Sequence, residues 1–203
     1  MKKYRAQIDH GLAATDPFKE WFEGSHVVGL DGLPLPVFHG SPDVRGILAE
    51  GFKPKSRGMV FFASDSYEVA DSYADERRAF DYQYAEPQTL PLYLAIRNPY
   101  MVDAEGKHWR NTQHHVQLAR DAGHDGLIIR HSIDFYNNPK AGAGGLTSTV
   151  YAWFDRAQAV AGWQGELRSR LAGEVIGGQE SALSLRCLLE ETPSRASRAR
   201  MTC

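Results

Sequence analysis

Between Leu90 and Ile96 the chain alternates, with Leu90, Leu92, Leu94 and Ile96 on one side and Pro91, Tyr93 and Ala95 on the other. That period of two predicts a half-buried strand, broken at Asn98-Pro99. Shorter apolar runs predict buried strands at Gly58 to Ala63, Asp125 to Arg130 and Thr149 to Phe154. Asp31-Gly32, set between His26 to Leu30 and Leu33 to Phe38, is a hairpin signal, and it places His39 at the far end of the hairpin's second strand. Helical spacing predicts four short helices. One opens at Asp16-Pro17 and gathers Phe18, Trp21 and Phe22 on one face before Gly24. A second covers Val44 to Glu50, with Gly51 ending it. A third follows Asp65-Ser66-Tyr67-Glu68, an acidic cap with Glu three residues later, and places Val69, Ala70 and Tyr73 on one face. The fourth runs from about Trp109 to Asp121 and closes at Gly123.

Strands and helices mixed in this order predict an α+β fold. Residues 1–15 read as a lead-in and 16–162 as one domain. Residues 163–203 read as an extension that fades into a Ser/Arg-rich, partly disordered tail. Residues 131–147 form a long Asn/Gly/Ala-rich loop, of the kind that serves function or moves. A chain of 203 residues is long enough to bury a core of its own.

Charge and composition narrow the function by exclusion. A net charge of −2 leaves no basic footprint for nucleic acid or an anionic membrane. No apolar run has the length of a membrane-spanning helix, and Met1-Lys2-Lys3-Tyr4 is not followed by a signal-peptide core. The two cysteines, Cys187 and Cys203, lie near the C-terminus, where they cannot staple the core. These features together predict a cytoplasmic protein of a reducing compartment. The phosphate-binding glycine motifs and the Gly-x-Ser-x-Gly nucleophile elbow are absent. The chain has eight histidines but no His-Glu-x-x-His, and His114-His115 reads as the polar face of a helix. No metal is expected.

The remaining chemistry gathers around Phe38-His39-Gly40-Ser41. A strand that delivers His, then Gly, then a small hydroxyl presents three hydrogen-bonding groups at one sheet edge, and Gly40 lets another backbone or a ligand come close. Tyr73 shares a helix face with Val69 and Ala70, which places it either in the core or at the lip of a cleft.

In their order, these pieces resemble the ADP-ribosyltransferase superfamily, on its diphtheria-toxin and poly(ADP-ribose)-polymerase side. Within it they are most similar to the ADP-ribosyltransferase domains of phage and mobile-element polyvalent proteins. The motifs are Trp21-Phe22-Glu23-Gly24-Ser25, Phe38 to Ser41, Met59 to Ala63, Ala70-Asp71-Ser72-Tyr73-Ala74, Asn98-Pro99, Asp125 to Ile128, and Tyr151 to Gln158. The resemblance implies a split β-sandwich of two mainly antiparallel sheets around a cleft for NAD, which is a substrate. It assigns His39 to a ribose hydroxyl, the Gly40 backbone to the nicotinamide amide and Ser41 to the neighbouring ribose. Phe61 or Phe62, with Tyr73, would sandwich the nicotinamide ring.

Many relatives carry a Glu at the start of the last strand. Here that place falls at Val150, with Ser148 and Thr149 just before it, and no carboxylate is present. Thr149 is the polar candidate there, and Asp134, in the long loop, is the nearby acid. The activity implied is mono-ADP-ribosylation of a protein or other macromolecular acceptor. NAD glycohydrolysis and a catalytically inactive binding module are the alternatives. A bond broken through an oxocarbenium-like state with a neutral leaving group leans on positioning and strain more than on an acid or base.

Overall fold

In the computed structural model the described residues are 8–42, 44, 46–47, 51–52, 60–74, 87–108, 112–134 and 147–162. Their strands are β1 (Val37–Ser41), β2 (Phe61–Ser64), β3 (Gln88–Leu94), β4 (Pro99–Asp103), β5 (Gly126–Ser132), β6 (Ser148–Trp153) and β7 (Ala159–Ala161). Hydrogen bonding joins them in the order β4-β5-β6-β2-β1-β3-β7. Every neighbouring pair is antiparallel except β4 and β5, which are parallel. The α-helices among the described residues are α1 (Asp16–Phe22), α2 (Tyr67–Tyr73) and α3 (Thr112–Asp121). The fold is α+β, and its sheet is a single hydrogen-bonded unit.

That unit has one narrow place. β1 pairs with β3 along all its length, from Val37 opposite Leu92 to Ser41 opposite Gln88. Its pairing with β2 is confined to Phe38 opposite Ser64. Beyond that pair the ladder stops, and the sheet is nearly divided into a β4-β5-β6-β2 half and a β1-β3-β7 half.

Alternation along each strand sorts the side chains onto two faces. On one, Val37, Ala63, Leu92, Leu94, Ile128, Tyr151 and Trp153 pack with Val27 and Phe52. The other carries the helices. α3 sets Val116 and Ala119 against Leu127, Ile129, Val150 and Ala152, and α1 sets Phe18 and Phe22 against Tyr93. That second layer corrects the expectation of a half-buried strand at 90–96, because β3 is buried on both faces. Tyr93, on the side expected to face water, meets Phe18 edge-on with ring centroids 5.0 Å apart.

Three other expectations shift locally. The helix cap belongs to Ser66, whose side chain accepts from the Val69 N–H. Asp65 instead accepts from the Thr149 N–H at 2.8 Å and so ties β2 to β6. The Asp31-Gly32 turn makes a narrow hairpin with one bridge, Val28 to Pro34, while β1 starts later. His39 therefore sits in the middle of β1, not at its end. Of the 44–50 helix, residues 44, 46 and 47 are helical. The polar stretch 78–89 reads in the sequence as a loop, but Gln88 and Thr89 already belong to β3; residues 78–86, most of the 131–147 loop and the extension from 163 lie outside the described residues.

The motif residues remote from His39 clamp strand ends. The Asp125 carboxylate accepts from the Arg97 N–H at 2.8 Å and the Asn98 N–H at 2.9 Å. Gln158 accepts from the Phe154 and Asp155 N–H groups at 3.1 and 2.9 Å and donates to the Ala95 and Asp125 carbonyls at 3.3 and 3.0 Å. Trp21 Nε1 donates to the Ala157 carbonyl at 3.0 Å. These bonds satisfy backbone groups where strands turn.

Candidate active site

The site is built at the narrow seam between β1 and β2. His39 comes just after the one residue of β1 that pairs with β2, and its Nδ1 lies 2.6 Å from the carbonyl oxygen of Phe62 on β2. A carbonyl only accepts, so Nδ1 carries the proton and, in the neutral ring, Nε2 holds the lone pair. The side chain thus bridges two strands whose backbones have parted. Its ring stands edge-on to Phe52, 5.1 Å between centroids, with Trp153 at 6.3 Å. This apolar packing pushes the imidazole below its ordinary pKa, and the Phe62 hydrogen bond offsets only part of that effect.

Gly40 faces the other way, towards α2. A Cβ placed on it would stand 1.7 Å from the Ala70 carbonyl oxygen and 3.1 Å from the Ala74 nitrogen. α2 therefore lies directly on the β1 backbone, an approach that only glycine allows. Two more contacts hold the helix there. Tyr67 meets Phe38 edge-on at 5.6 Å, and the Thr89 hydroxyl donates to Asp71 at 3.1 Å.

Tyr73 closes α2, and its hydroxyl donates to Oδ1 of Asp134. The acid at Asp134 is shielded from solvent. It is 4% exposed, the only buried carboxylate among the described residues. It follows β5 by two residues, so the contact runs from the helix above β1 across β2 and β6. On this face those intervening strands present Phe62, Ser64, Ser148 and Val150, as their register requires. Ser148 pairs with Ser132 of β5. Both are buried, and neither hydroxyl has a hydrogen-bond partner among the described residues.

The structure thus brings Gly40, Phe62, Tyr73 and Asp134 to the helix-bearing face. Ser41, also buried, and Phe61 belong with His39 on the face of Trp153. Thr149 points the same way as Phe61, away from Tyr73. Its neighbour there is Tyr151, whose phenol is pushed up to about 12 by burial and by the nearby Asp65 carboxylate, against a partly offsetting bond from Thr149. Sequence reasoning missed Ser132, Ser148, Phe52 and Trp153. For Ser148 a signal existed, since a period of two places it on the same face as Val150.

Among the described residues no helix is long and apolar enough to cross a membrane, and no group of three His, Cys, Asp or Glu is placed to hold a metal. No curated protein matches the chain. The model of one family, described as ADP-ribosyltransferase in polyvalent proteins, matches residues 30–159. That span runs from the hairpin turn to the start of β7 and takes in the seam, α2, Asp134 and the clamp at Asp125. By that match the chain belongs to the ADP-ribosyltransferases of polyvalent proteins, and its activity is of the ADP-ribosyltransferase type with NAD as substrate.

Proposed function

We propose that this protein is a mono-ADP-ribosyltransferase that cleaves NAD at the nicotinamide ribose, releases nicotinamide and transfers ADP-ribose to a protein or other macromolecular acceptor. The observation that carries this reading is the seam. β1 and β2 pair at one position, and the candidate residues lie on both lips, His39, Gly40 and Ser41 on one and Phe61 and Phe62 on the other. NAD would enter where the two half-sheets part, which is the sense in which the fold works as two sheets around a cleft.

In this arrangement the lone pair of His39 Nε2 takes a ribose hydroxyl, and the Gly40 backbone takes the nicotinamide amide. Ser41 lies beside the attached ribose. Of the two aromatic candidates on β2, Phe62 shares a face with Tyr73 and so is the better partner for stacking the nicotinamide ring. Holding the ring and the ribose in fixed orientation supplies much of the rate, because the leaving group departs neutral. Thr149, on the face that carries His39 and Ser41, is the further polar candidate there. Residues 16–162 form the catalytic unit, no metal takes part, and the setting is a reducing cytosol.

The test is calorimetric titration with NAD, followed by nicotinamide release and labelling of lysate proteins with tagged NAD. Binding, release and a labelled macromolecule are the expected results. Release without labelling identifies a glycohydrolase, and binding without release identifies an inactive module.

A further inference from the structure

We propose that the Trp153 indole N–H is a further substrate contact, which together with His39 reads a ribose diol of NAD. The inference rests on the NAD-cleaving reading above and adds a residue that fixes the ribose on the face opposite α2.

Trp153 is the largest fully buried side chain among the described residues, at 0% exposure. Its Nε1 meets no hydrogen-bond partner among them. Trp21, by contrast, donates its Nε1 to the Ala157 carbonyl. A buried indole normally finds an acceptor, and an aromatic face is only a weak one. A donor stranded in an apolar cluster costs free energy in the resting protein.

Register puts that donor at the open end of the seam. β1 and β2 pair only at Phe38 and Ser64. Carried on from there, the antiparallel register sets Ser41 level with Phe61, and Phe61 is paired with Trp153. The Phe61 and Trp153 rings lie 5.5 Å apart. His39 is on the same face, its ring 6.3 Å from that of Trp153. Phe52 meets both edge-on, at 5.1 and 5.2 Å.

The two nitrogens select the ligand. The Phe62 carbonyl takes Nδ1 of His39, which leaves Nε2 to accept, and burial favours the neutral ring that can do so. The Trp153 indole can only donate. The pair therefore suits a ligand edge that gives one hydrogen and takes another, and two neighbouring ribose hydroxyls do both. One donates to Nε2 and the other accepts from Nε1. A phosphate offers His39 no hydrogen. To reach both nitrogens the sugar displaces the Phe52 ring, which is held against them by packing and not by hydrogen bonds.

The experiment follows the assigned Trp153 indole N–H signal of the wild-type protein by NMR as NAD, ADP-ribose or nicotinamide is added. NAD and ADP-ribose should move it downfield, as a new hydrogen bond does, and nicotinamide should leave it in place. Nicotinamide is the competing ligand, because its carboxamide also donates and accepts. A shift with nicotinamide and none with ADP-ribose overturns the diol. Titration and thermal melting then compare wild type with the protein carrying 3-benzothienylalanine in place of Trp153, an isostere with sulfur instead of the N–H. The isostere should melt no lower than wild type, since an unpaired donor is gone, and bind NAD a few-fold to about tenfold more weakly. A merely structural indole would leave that affinity unchanged. NAD binding that does not move the Trp153 signal, or that the isostere matches, overturns this assignment alone. A protein that binds neither NAD nor ADP-ribose overturns the function with it. Should the isostere fail to fold, the wild-type spectrum decides.

Discussion

His39 donates through Nδ1 to the carbonyl oxygen of Phe62 at 2.6 Å, so a side chain on β1 makes the cross-strand bond that its own backbone has stopped making. This gives the histidine two duties, binding at the seam and closing it. His39→Ala should weaken NAD binding by a few-fold to tenfold, the worth of one hydrogen bond of about 0.5–1.5 kcal/mol. It should also lower the melting temperature, because the bond from His39 to the Phe62 carbonyl is lost and Phe52 and Trp153 lose a ring. Titration and thermal melting on one preparation test both effects, and an unchanged melting temperature would remove the closing duty.

Burial of that ring also sets a direction in pH. The folded-state pKa of His39 lies below the ordinary 6.5, so on acidification the unfolded chain takes up a proton first. His39 therefore costs no stability above about pH 6.5 and an increasing amount as pH falls from there towards the folded value. The melting temperature of His39→Gln should depend less on pH between 7.5 and 5.5 than that of wild type. Parallel curves for the two proteins would show that the slope belongs to other groups.

Gly40→Ala tests how tightly α2 is laid on β1. The added carbon meets the Ala70 carbonyl oxygen, a backbone atom that moves only if the helix moves. A destabilisation of about 1–3 kcal/mol is expected, read as a lower denaturant midpoint. Because Tyr73 rides on the same helix, nicotinamide release should fall further than the folded fraction does. A variant as stable and as active as wild type would mean that α2 has room to lift.

Gln158 is a structural counterpart outside the seam. Its side chain makes four hydrogen bonds, two as acceptor and two as donor. At about 0.5–1.5 kcal/mol each, Gln158→Ala should cost roughly 2–6 kcal/mol. The NAD dissociation constant of the folded protein should stay within twofold. A large change in affinity with little change in stability would connect the clamp to the site.

Much of this architecture is legible in local pattern. The strands and the helices at Phe18, Val69 and Val116 follow from spacing, and Phe38-His39-Gly40-Ser41 stands out because its residue types serve little purpose in an ordinary buried strand. What escapes is whatever depends on a distant partner. Tyr73 and Asp134 lie 61 positions apart, and nothing around Ser132-Ile133-Asp134 marks the acid as buried. Asp65 reads as a helix cap until the Thr149 N–H, from β6, takes its carboxylate. Tyr93 reads as solvent-facing because α1, which covers it, lies far back in the chain.

The single Phe38–Ser64 link has a consequence for how the chain can be assembled. Strand order places β1, β3 and β7 on one side of that link and β2, β4, β5 and β6 on the other. Followed from β1 to β7, the chain crosses the link four times. No single cut in the polypeptide separates the two halves into contiguous fragments, although almost no backbone hydrogen bonding joins them. Each half must wait for remote segments of sequence before its own ladder is complete, a non-local arrangement that slows folding. The seam is thus a gap in the sheet stitched shut by chain connectivity, which keeps the halves from ever becoming independent bodies.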